Sequence, residues 1–122
     1  MMSAGWDYDA ALERVGGDEP LLAELITIFF AEYPKFACRL TQSLSQKDFA
    51  NLREVAHSLK GSLGYLGASD GEVLALALEH ASLAGDSARA AELVARLMAY
   101  IEALRQVMLS STGEQNDTGR LQ

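Results

Sequence analysis

Little in this chain would crosslink, stiffen or anchor it: among 122 residues there are one cysteine, two prolines and one tryptophan. A lone Cys38 can close no internal disulfide and cannot by itself make a zinc site, so it reads as a small side chain packed in or near a helix interface. No run approaches the roughly 18 apolar residues that span a bilayer, and the start of the chain lacks a basic segment followed by an apolar one. A cytoplasmic protein without membrane contact is the expectation. Basic residues are outnumbered, ten Lys and Arg against seventeen Asp and Glu, for a net charge of −7. Nucleic-acid binding rests on clustered Lys and Arg, so that class of partner is excluded, and the acidic balance serves solubility. No stretch alternates convincingly with period two and no internal repeat argues for a solenoid.

What the chain does have is helical periodicity. A short first helix is predicted from about Asp7, its N-cap, to Val15, with Gly16-Gly17 as the stop. Asp18-Glu19-Pro20 suits the first turn of a second helix, in which Leu22, Leu25, Phe29, Tyr33, Phe36, Leu40 and Leu44 keep helical spacing to about Ser45. Pro34 predicts a kink or break within it. A third helix is expected from near Asp48 to Leu66, closed by Gly67. Ser69-Asp-Gly-Glu72 has the spacing of a capping box and predicts a fourth helix ending near Ala84-Gly85. The fifth, capped by Asp86 or Ser87, carries Leu93, Leu97, Ile101, Leu104 and Met108 on one face. Residues 110–122 are polar and read as a disordered tail, which leaves a single domain over 1–109. The predicted fold is all-α: an antiparallel up-down-up-down four-helix bundle with the short first helix across one end.

The third helix holds the chemistry. At about 100° per residue, Leu52, Ala56, Leu59, Leu63 and Leu66 form one apolar seam, and His57 points roughly 130° away from its middle, outward. Arg53, Gly61 and Gly64 share the histidine's stripe, and Lys60 lies on the flank between His57 and the seam. Glycine inside a helix costs about 1 kcal/mol relative to alanine, so two on the histidine face need a reason, and one is that a surface without side chains lets another macromolecule or a phosphoryl group come close to the imidazole. Neutral imidazole is nucleophilic, and its phosphoramidate is reactive enough to pass a phosphoryl group on. Lys60 and Arg53 could balance the added negative charge. A phosphoryl-transfer centre also needs a metal ion and the carboxylates that hold it. No cluster here supplies them, so a partner must. His80, beside Glu79 and without a glycine gap, reads as an ordinary surface residue. Two other readings remain: a binding adaptor that takes no phosphate, and a metal site built on the Glu54-Val-Ala-His57 pair, which has ligand spacing but no second copy.

The run His57-Ser-Leu-Lys60-Gly61-Ser62, followed by Leu66-Gly67-Ala68, closely resembles the signature of histidine-containing phosphotransfer (HPt) domains, the modules of multistep two-component relays. The resemblance extends over about residues 5–108 and includes Leu78-Glu79 followed by Gly85-Asp86. It implies a monomeric carrier in which His57 accepts a phosphoryl group from an aspartyl phosphate on a receiver domain of a hybrid sensor kinase and donates it to the receiver of a response regulator. The receiver would contribute the acidic pocket and Mg²⁺, leaving this chain with no cofactor of its own. Lys60 matches the family's lysine and Gly61 the glycine that keeps the approach clear. Leu63 and Tyr65 depart from the small or polar residues many members have after the signature; Leu63 falls on the core seam, whereas Tyr65 bears on partner preference. Related modules dock receivers on an apolar patch from the opening helices, for which Tyr8, Ala11, Leu12, Val15 and Leu22 are the candidates here. No nucleotide-binding segment of a kinase is present, which implies a stand-alone carrier.

Overall fold

The computed structural model describes residues 5–121, with side chains as far as residue 110. Five helices follow one another: α1 (Tyr8–Arg14), α2 (Glu19–Ser45), α3 (Phe49–Tyr65), α4 (Ser69–Ala84) and α5 (Ser87–Leu121). Short turns force neighbours to run antiparallel. α2 packs on α3 and α5, and α4 packs on the same two, so the four long helices close a ring. This is the up-down-up-down bundle that the apolar spacing predicts.

Aspartates begin four of the five helices. The carboxylates of Asp7, Asp18, Asp48 and Asp86 accept the backbone N–H groups of Ala10, Leu21, Asn51 and Arg89 at 2.9, 3.0, 3.1 and 3.1 Å. Each satisfies a donor that the first helical turn leaves free. α4 is the exception. Its N-cap is Ala68, with no side-chain cap, so the capping box expected at Ser69 does not form. Gly67, at φ +77°, turns the chain so tightly that the helix starts one residue early, and Glu72 lies over Gly64 of α3 instead of folding back onto Ser69.

α2 runs through Pro34 as one helix, without the break its sequence suggests. Leu22, Ile26, Phe29 and Tyr33 before the proline and Leu40 and Ser43 after it are all buried, so both halves keep their core contacts across it. Cys38 is exposed rather than packed in an interface. It lies two residues, about 160°, around the helix from buried Leu40. α5 continues to Leu121, through the polar stretch that composition assigns to a disordered tail. Its backbone hydrogen bonding carries on past Met108, the last buried residue among those whose side chains are described, and no proline interrupts it.

The segment before α1 straps across the α3–α4 end of the bundle. Trp6 Nε1 donates to the Leu66 carbonyl at 2.7 Å, Asp7 N–H to the Gly67 carbonyl at 3.3 Å, and the Tyr100 hydroxyl to the Gly5 carbonyl at 2.9 Å. The seam of α3 is fully engaged: Leu52, Ala56, Leu59 and Leu63 have no exposed surface and Leu66 has 3%. Burying a leucine in this way contributes roughly 2 kcal/mol. The opposite face of α3 is thereby held outward on a helix that cannot roll.

Candidate functional site

His57 lies midway along that outward face, its side chain 67% exposed. α3 also carries Arg53 one turn before it and Gly61 one turn after, both exposed. A Cβ built on Gly61 would meet nothing within 4 Å, so the surface beside the imidazole is bare backbone open to solvent. Beyond Arg53, an open cleft of about 430 Å³ is lined by Ala50, Arg53, Glu54, His57 and Glu79.

Glu79, from α4, is the residue that organises the cluster. Its Oε2 lies 2.9 Å from His57 Nδ1 and its Oε1 lies 2.9 Å from the Lys60 ammonium. The carboxylate is 14% exposed and Lys60 is 27% exposed, so both are shielded from the solvent that reaches His57. Oε1 is buried and meets the Lys60 ammonium in a close ion pair. The ammonium, ahead of every other influence, holds the Glu79 carboxyl below its ordinary value; burial pushes the other way, and the His57 contact adds to the lowering. Glu79 is therefore ionised at neutral pH and has no proton to give. Nδ1 must be the donor in the 2.9 Å contact, so in a neutral ring the lone pair sits on Nε2.

A family model, that of the Hpt domain, matches residues 24–107. That span is more than half of the chain and takes in His57, Lys60, Gly61 and Glu79. The chain belongs to the Hpt domain family. Hpt domains serve histidine phosphotransfer in two-component phosphorelays, where they interact with receiver domains and act as phosphocarriers rather than catalysts. No curated protein and no solved structure matches the chain. Among the described residues, no helix is long and apolar enough to cross a membrane.

Not every residue of the predicted stripe belongs to this Hpt site. Gly64 shares the angular position of His57, yet it is buried, and a Cβ there would come within 2.8 Å of the Glu72 carboxylate. α4 leans against α3 at that level, so Gly64 is covered by the protein itself and offers nothing to a partner. Among the proposed docking residues, Ala11 and Leu22 are 0% and 1% exposed and belong to the core. Both sit where α1 and the start of α2 face the bundle. Tyr8, Leu12 and Val15 are partly exposed, and Tyr65 is 46% exposed. Tyr65 borders a groove of about 260 Å³ between α2 and α3, with Leu25, Ile28 and Phe36 among its walls. Glu54 and His57 line one cleft but engage different partners: Glu54 lies 3.4 Å from Arg39 of α2 and His57 2.9 Å from Glu79 of α4.

Proposed function

We propose that this Hpt protein relays a phosphoryl group between receiver-domain aspartates, from a hybrid sensor kinase to a response regulator, with His57 Nε2 as the carrying atom. The single observation behind this reading is the contact between His57 Nδ1 and the ionised Glu79, which in a neutral ring puts the lone pair on Nε2, on a face that Gly61 keeps clear. In the transfer, the Nε2 lone pair forms the N–P bond while the P–O bond to the donor aspartate breaks, and the aspartate leaves as a carboxylate with the bonding electrons. The ring keeps its Nδ1 proton and becomes cationic, so a carboxylate at 2.9 Å stabilises the product as well as orienting the nucleophile. Passing the group to the second aspartate reverses these steps. The receiver supplies the acidic pocket and Mg²⁺ that screens the phosphoryl oxygens.

Two cations have different parts in this scheme. Lys60 is bound to Glu79 and keeps that carboxylate ionised. Arg53 is exposed at the edge of the cleft, forms no ion pair among the described residues, and is placed to meet the phosphoryl oxygens. The receiver rests on Tyr65 and the α2–α3 groove, with Tyr8, Leu12 and Val15 as further contacts towards one end. The protein acts as a monomer in the cytoplasm.

The test uses a phosphorylated receiver, Mg²⁺ and purified protein, and follows acid-labile phosphate. Wild type should acquire it and His57→Gln should not. Equal labelling of His57→Gln would remove His57 from the role; receiver binding without any labelling of wild type would identify an adaptor.

A further inference from the structure

Three of the seven large apolar side chains that the described surface exposes lie on α4: Val73 at 65%, Leu76 at 39% and Leu83 at 68%. A surface helix normally turns polar residues to water, and isolated exceptions mean little. Two of these are not isolated from the site. At about 100° per residue, Leu76 and Leu83 point within about 60° of Glu79, one turn to either side of it, whereas Val73 points about 120° away.

The register between α3 and α4 fixes where they fall. Glu72 lies on Gly64 and Glu79 on His57, seven residues apart on both helices and in opposite directions. The same register sets Leu76 level with Lys60 and Leu83 level with Arg53. The two leucines therefore bracket the His57 face along its α4 edge, opposite the Tyr65 groove on its α2 edge.

We propose that Leu76 and Leu83 form a second apolar shoulder on which the receiver domain docks when its aspartate reaches His57; this rests on the phosphorelay reading above. The receiver is favoured as occupant by continuity and by charge. A partner face of about 800 Å² centred on Nε2 cannot avoid side chains one helical turn from Glu79. Moreover, a chain of net charge −7 has little long-range attraction for a receiver's acidic pocket, so apolar contact beside the histidine must hold the pair together. A second copy of this chain would meet the same repulsion without a reacting group to align.

The experiment compares Leu76→Gln/Leu83→Gln with wild type and with Val73→Gln, using the phosphorylated receiver that labels wild type fastest from a panel of the same genome. Circular dichroism and thermal melting check that each variant is folded. The double variant should raise the KM for the receiver by about tenfold, with the rate at saturation within about threefold, because the shoulder holds the partner but does not touch the reacting atoms. Val73→Gln should match wild type. A KM within twofold of wild type in the double variant overturns the shoulder while leaving the relay intact. So does loss of a wild-type dimer, seen by sedimentation, without change in transfer, since the leucines would then serve self-association. If no receiver labels wild type, the relay reading fails and takes the shoulder with it.

Discussion

Glu79 joins His57 Nδ1 and the Lys60 ammonium through its two carboxylate oxygens, and the ammonium holds its carboxyl below the ordinary value. That arrangement has a thermodynamic signature. A carboxyl whose value in the folded protein lies below its ordinary 4.5 contributes stability that is fully present above that pH and is lost as pH falls through the lowered value. Glu79→Gln removes the contribution at every pH. The gap in urea midpoint between wild type and Glu79→Gln should therefore be present at pH 5 and close as pH falls below 4.5 and through the lowered value, where the folded wild-type carboxyl takes up its proton. A gap unchanged down to pH 3 would show that the 14%-exposed carboxylate gains nothing from its charge. His57 and Lys60 stand out in the sequence as a histidine and a cation one turn apart on one helix. Their shared partner does not, because it lies 22 residues from His57 on another helix. Helical arithmetic gives the direction of a side chain on its own helix but not what the adjoining helix brings to meet it.

At the level of the helices, glycines that look alike in the sequence occupy three different environments. Gly61 in α3 is open, Gly64 in α3 is covered by the Glu72 carboxylate, and Gly71 in α4 faces Tyr100 and Leu63. Alanine at an exposed helical position gains about 1 kcal/mol over glycine, so Gly61→Ala should raise stability by that amount. At Gly71 the same Cβ would stand 2.5 Å from Tyr100 Cε2 and 3.0 Å from Leu63 Cδ1, both on buried residues. The forced repacking costs about 1–3 kcal/mol and should outweigh the gain in helix propensity, so Gly71→Ala should be destabilising. Chemical denaturation of the two variants checks both signs; a stabilised Gly71→Ala would mean that α4 can move away from α5. The contrast explains which parts of the fold are legible in the sequence. Leu52, Ala56, Leu59, Leu63 and Leu66 are read as core because burial follows a period, and Asp7, Asp18, Asp48 and Asp86 as starts because an N-cap is a local bond. Gly64 and Ser69 are misread because their environment depends on how closely α4 approaches α3 after the Gly67 turn.

Over the whole molecule, two electrostatic scales oppose each other at the histidine. The chain carries −7, yet the groups around His57 are Arg39, Arg53 and Lys60 against Glu54 and Glu79, three positive against two negative. Which scale a receiver senses depends on the screening length, about 30 Å at 0.01 M salt, 8 Å at 0.15 M and 3 Å at 1 M. At the lowest salt the full negative charge acts on an approaching acidic pocket and slows encounter. Near 0.15 M the distant carboxylates are screened while Arg53, close to the incoming phosphoryl group, still attracts it. At 1 M that local attraction is also lost. The second-order rate of transfer from a phosphorylated receiver should thus rise between 0.01 and about 0.15 M salt and fall again towards 1 M. Arg53→Ala should keep the rise and flatten the fall, because it removes the short-range attraction and leaves the long-range repulsion in place. Stopped-flow rates over that range at fixed Mg²⁺ would show it. A monotonic decline from the lowest salt would mean that the local cations outweigh the net charge at all distances.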